Sequence, residues 1–108
     1  MEIKVSVIDG MLGRPAEGVG VSLVIRQVTE PAIRVSGLTD SSGNFGYSAG
    51  AQSRNCNVLI DVDTYFTSLG MVAGYQQMAL EVRLAAAGSP CRIVAIIAPY
   101  VHVAASVQ

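Results

Sequence analysis

From its second residue the chain alternates: Glu2-Ile3-Lys4-Val5-Ser6-Val7-Ile8 sets Ile3, Val5 and Val7 on one side and Lys4, Ser6 and Ile8 on the other. Such period-two patterning marks a half-buried β-strand, because successive side chains of a strand point to opposite faces. The pattern returns over residues 19–26, where Val19, Val21, Leu23 and Ile25 share a face. It returns again over residues 78–85, with Met78, Leu80, Val82 and Leu84 inward and Glu81 and Arg83 outward. Residues 33–38, 44–48, 57–62, 91–98 and 100–107 complete a set of eight strand-like runs. Turn-forming residues punctuate them: Asp9-Gly10 closes the first, Asp40-Ser41-Ser42-Gly43 predicts a hairpin between residues 33–38 and 44–48, and Ala98-Pro99 separates the last two. Residues 63–70 break the alternation, and Asp63 as N-cap with Gly70 past the last turn predicts a short helix. The pattern as a whole predicts an all-β antiparallel sandwich of eight strands with one short helix.

A length of 108 residues predicts a single domain, residues 1–108. Hydrophobic residues make up 51% and charged residues 14%, enough to fill a core and leave apolar surface for a second subunit. Seven Lys/Arg against eight Asp/Glu, with no basic block, remove the electrostatic basis for nucleic-acid binding. The apolar run at residues 93–98 has the length of a strand rather than the roughly 20 residues of a membrane helix, and the alternating start is unlike a signal peptide. The expectation is a soluble cytoplasmic protein without membrane partners, in which Cys56 and Cys91 are buried thiols rather than a disulfide.

Four stretches then carry a resemblance. Val5-Ser6-Val7-Ile8-Asp9 is followed by Gly13-Arg14-Pro15-Ala16 and Gly18-Val19; Thr39-Asp40-Ser41-Ser42-Gly43 is the second. Ile60-Asp61-Val62-Asp63-Thr64-Tyr65-Phe66 with Leu69-Gly70 is the third, and the run ending in Ala98-Pro99-Tyr100 is the fourth. In this order and spacing the chain resembles the transthyretin and 5-hydroxyisourate hydrolase family over nearly its whole length. The resemblance implies an eight-stranded transthyretin-like (prealbumin) β-sandwich that pairs edge to edge into a dimer. Two dimers would then meet face to face as a homotetramer with a ligand channel between them. The apolar surplus points to oligomerisation independently.

At the positions implied for that channel the sequence departs from the hydrolases. Ser6 stands in place of a first-strand His, Asn44 in place of an Arg after the Asp-Gly turn, and Arg92 in place of a second His. A terminal Tyr-Arg-Gly-Ser corresponds to Ala105-Ser106-Val107-Gln108. Opening a strained ring with water needs a base near neutral pKa and a donor for the developing oxyanion, and neither Ser6 nor Asn44 is a base unaided. The resemblance therefore implies Arg92, Ser6 and Asn44 as the groups for chemistry. For ligand contact it implies Ile8, Val94, Ile96, Val103, Ala105, Val107 and Gln108. Such a wall suits a small organic molecule with an anionic or carbonyl group near Arg92. In the packing-only alternative, Arg92 pairs with a carboxylate such as Glu2 or Asp61 and the valines bury an interface.

His102, the single histidine, alternates with Tyr100 and Ala104, away from the row of Val101, Val103, Ala105 and Val107. No phosphate loop, nucleophile elbow or Cys/His cluster occurs, so neither cofactor nor metal is expected. Three functions stay open: a cyclase or isomerase of small-molecule metabolism acting by confinement, a non-catalytic binder or carrier, and a conventional 5-hydroxyisourate hydrolase. The first is favoured, since a small cytoplasmic protein has less need to carry ligands. Loss of all four hydrolase groups makes the third the weakest.

Overall fold

The alternating runs form two facing sheets in the computed structural model, which describes residues 1–50, 52–84 and 89–100 and the main chain of residues 102–107. In chain order the elements are β1 (Glu2–Asp9), β2 (Arg14–Pro15), β3 (Gly20–Gln27), β4 (Ile33–Leu38), β5 (Asn44–Ser48), β6 (Ser53–Asp61), α1 (Val62–Ser68), β7 (Gln77–Arg83), β8 (Cys91–Ile97) and β9 (His102–Val107). One sheet has the order β5-β1-β8-β9, with the two-residue β2 also paired to β1; the other has the order β4-β3-β6-β7. The eight longer strands are the eight expected from alternation, and β2 is too short to alternate. Ala85, expected to end the sixth run, lies outside the described residues.

The faces follow the alternation closely. Ile3, Val5 and Val7 of β1 and Val21, Leu23 and Ile25 of β3 are buried, as are Val58 and Ile60 of β6 and Ile93, Ala95 and Ile97 of β8. Each such Val, Leu or Ile side chain removed from water contributes about 1.5–3 kcal/mol. Cys56 and Cys91 are buried and free, and burial above all, with Cys91 nearby, pushes the Cys56 thiol up to about 11.

Three expectations need correction. The runs at residues 33–38 and 44–48 do not form a hairpin, because β4 pairs with β3 in one sheet and β5 with β1 in the other. The turn itself is as expected: Asp40 Oδ1 accepts from the amides of Ser42 and Asn44, each at 2.9 Å, and Gly43 has φ of 76°. What sends the two strands apart is the anchoring of Thr39. Its Oγ1 donates to Ala16 O at 2.6 Å and accepts from Val19 N at 2.9 Å, which holds the end of β4 to the β3 side. Gly43 O meanwhile accepts from Val7 N at 2.8 Å, which starts β5 along β1.

The sandwich is also not wholly antiparallel, since β1 and β8 run parallel. Finally, the helix cap is Asp61 rather than Asp63. Asp61 is the last extended residue and accepts from Thr64 N at 3.1 Å, whereas Asp63 sits in the first turn. The other end stops as expected at Gly70, with φ of 78°; its amide and that of Met71 reach back to Thr67 O and Phe66 O, both at 2.9 Å. Among the described residues no helix is long and apolar enough to cross a membrane.

Gly43 is the turn position with no room for a side chain, because an added Cβ would lie 2.5 Å from Val7 O in a left-handed backbone. Gly43→Ala is expected to lower unfolding stability by about 2–4 kcal/mol in urea titrations, against about 0.5 kcal/mol or less for Gly50→Ala, whose Cβ meets nothing within 4 Å.

Candidate functional site

Because inward residues of β1 and β8 are committed to the core, the alternate residues form a second, outer face. The parallel register sets Lys4 beside Arg92, Ser6 beside Val94 and Ile8 beside Ile96. On the other side of β1, Ser6 pairs with Asn44. Beyond β8, the register puts Val107, Ala105 and Val103 opposite Arg92, Val94 and Ile96. Every proposed position from Ser6 to Val107 therefore shares one face of one sheet by register. Gln108 and the side chains of Val103, Ala105 and Val107 lie outside the described residues.

At the centre of this face Ser6 Oγ donates to Asn44 Oδ1 at 2.7 Å. The carboxamide oxygen is thereby occupied, and the two N–H groups on the other branch of the amide remain donors for something else. Ser6, Asn44, Ile8 and Val94 are half-buried, and Ile96 keeps 40% of its surface exposed. Gly10 makes room for Ile96, since a Cβ there would come within 2.9 Å of its Cγ2. Arg92 is exposed, and about 6.6 Å along the strands separates it from the Ser6–Val94 pair at two residues' rise.

Lys4 was absent from the residues read from sequence. Its signal was present in the alternation, which set Lys4 with Ser6 and Ile8, but its place beside Arg92 depends on a pairing between strands at opposite ends of the chain. Neither Glu2 nor Asp61 is set beside Arg92 by this register: Asp61 belongs to β6 of the other sheet. His102 is opposite the buried Ile97, so its register position is on the face away from Val103. Among the described residues no three His, Cys, Asp or Glu side chains gather as a metal site.

No protein-family model matches the sequence, and no curated protein matches it. Solved structures do match. A 5-hydroxyisourate hydrolase from Klebsiella pneumoniae superposes with a TM-score of 0.81 at 18% identity, covering 100% of both chains. A transthyretin from Sparus aurata superposes with a TM-score of 0.83 at 17% identity, covering 97% of this chain and 95% of that one. The chain has the transthyretin-like fold.

Within this transthyretin-like sandwich, one buried polar contact fixes the end of β1 next to the outer face. Asp9 is fully buried; its Oδ1 accepts from the amides of Met11 and Leu12 at 2.9 Å, and its Oδ2 accepts from the Tyr65 hydroxyl at 2.6 Å. Tyr65 comes from α1, so the bond ties the helix after β6 to the opposite sheet. No local sequence signal pairs Tyr65 with Asp9, because the two are 56 residues apart along the chain. Burial first, and then the bond to the Asp9 carboxylate and its charge, push the phenol up to about 12 from 10.0.

The fold therefore favours the neutral phenol. Its contribution is full below pH 10 and is lost as pH rises towards about 12. Tyr65→Phe is expected to cost about 1–3 kcal/mol at pH 7 by removing a donor from a buried carboxylate. Urea midpoints measured across pH should show this gap closing between pH 10 and about 12.

Proposed function

We propose that the outer face of β1, β8 and β9 binds a small organic molecule bearing an anionic or carbonyl oxygen, in a channel closed by facing copies of the chain in a homotetramer. On this reading the channel promotes a cyclisation or isomerisation in cytoplasmic small-molecule metabolism. The observation that carries the reading is the Ser6–Asn44 hydrogen bond in the middle of an otherwise apolar patch of Ile8, Val94 and Ile96. It turns the Asn44 N–H groups into fixed donors, and a carbonyl held there is polarised without any group having to reorient. Arg92 and Lys4 at one end of the face supply the charge that orients an anionic group. The apolar remainder confines the rest of the molecule, and confinement in a near-attack geometry is sufficient to accelerate a reaction that proceeds slowly by itself.

Hydrolysis fits this face least, because a hydroxyl that donates to an amide and two cationic side chains do not deprotonate water. A carrier needs the same apolar face, and the equal likeness to a transthyretin supports it as the second reading. Activity of the variants separates the two.

The fluorescent anion anilinonaphthalene sulfonate is the probe for the face. Arg92→Ala is expected to weaken its binding about tenfold or more, the worth of one charge-assisted contact. Ile8→Glu is expected to abolish binding, and unchanged binding in both variants would refute the assignment of this face. With the substrate in hand, Asn44→Ala should lower kcat by about tenfold to a hundredfold while leaving affinity within about threefold. A loss of affinity with no turnover in the native protein would favour the carrier.

A further inference from the structure

A cleft of about 400 Å³ opens beside α1, lined by Arg14, Glu17, Ser41, Tyr65, Ser68 and Leu69 among others. None of these residues belongs to the outer face described above, and the volume falls in the range of small-molecule sites. Two of its hydroxyls have their protons engaged elsewhere. The Tyr65 hydroxyl is spent as a donor on Asp9, and Ser68 Oγ donates to Tyr65 O at 2.6 Å. Ser68 therefore offers the cleft lone pairs rather than a proton. Glu17 adds a carboxylate acceptor.

Against these acceptors stands one cation, the exposed Arg14. Asp9, set opposite Arg14 in the strand pairing, directs its carboxylate to two amides and the Tyr65 hydroxyl, and no hydrogen bond joins the carboxylate to the guanidinium. The guanidinium remains a planar fork for a carboxylate in the cleft. Leu69, 40% exposed, supplies an apolar wall.

We propose that this cleft is a binding site for a small zwitterion of the amino-acid class: Arg14 takes the carboxylate, Glu17 and Ser68 Oγ take the ammonium, and Leu69 packs against the aliphatic part. An ammonium brings three donors and no acceptor, which complements Glu17 and Ser68. A dianion such as phosphate is disfavoured by Glu17. The site is independent of the proposed channel, and either one can fail without the other.

The test is an amide NMR titration of the whole ¹⁵N-labelled protein with three probes at millimolar concentration: free leucine, isocaproate, which lacks the amino group, and isoamylamine, which lacks the carboxylate. Leucine is expected to shift the amides of Glu17, Ser41, Ser68 and Leu69, with the two analogues about tenfold weaker. Arg14→Gln and Glu17→Gln should each weaken leucine about tenfold while keeping the dispersed spectrum of the folded protein. The proposal is overturned if leucine leaves the cleft amides unmoved or shifts only the Ser6–Val94 face. It is equally overturned if the three probes act alike, or if both variants bind leucine as the native protein does.

Discussion

The parallel pairing of β1 with β8 is the constraint on which the rest of the molecule depends. Once the strands lie side by side in this register, the pleat commits Ile3, Val5 and Val7 and Ile93, Ala95 and Ile97 to one face, where all are buried. A slip of β8 by one residue against β1 would turn Arg92 and Val94 inward and put Ile93, Ala95 and Ile97 into water, at a cost of several kcal/mol for the apolar groups alone. The outer face is thus fixed by the inner one. Ser6, Ile8, Val94 and Ile96 are neighbours there because their alternates are needed inside.

Two further devices hold the sheets in place around that pair. Thr39 and Gly43 direct one strand to each sheet across a single turn, and the Tyr65–Asp9 bond closes the helix against the end of β1. Each joins the two layers through a polar contact that is satisfied where it is buried, which the low dielectric of a core demands. The outer face therefore rests on a scaffold pinned at the Val7–Asp9 end of β1. That rigidity suits the Ser6–Asn44 pair, whose proposed use needs fixed donors.

Most of the sandwich was legible because alternation is local. The separation of Ile3, Val5 and Val7 from Lys4, Ser6 and Ile8, and the inward row from Val19 to Ile25, came from single strands and hold in the structure. Partners were harder to read. The Asp40–Gly43 turn looks like a hairpin whether the following strand returns beside β4 or crosses to β1, and only the contacts of Thr39 and Val7 decide it. The shift of the helix cap from Asp63 to Asp61 has a similar source, since two carboxylates two residues apart offer equal local propensity. The Ser6–Asn44 contact joins two residues that had been singled out from the family resemblance, whereas the Asp9–Tyr65 contact joins residues without any shared sequence signal.

The central claim is that the outer face works between copies of the chain and holds an organic molecule. Native mass spectrometry of the protein purified from its source cells reads both features in one spectrum. The account predicts a tetramer that retains a small organic ligand; a bare monomer would contradict it.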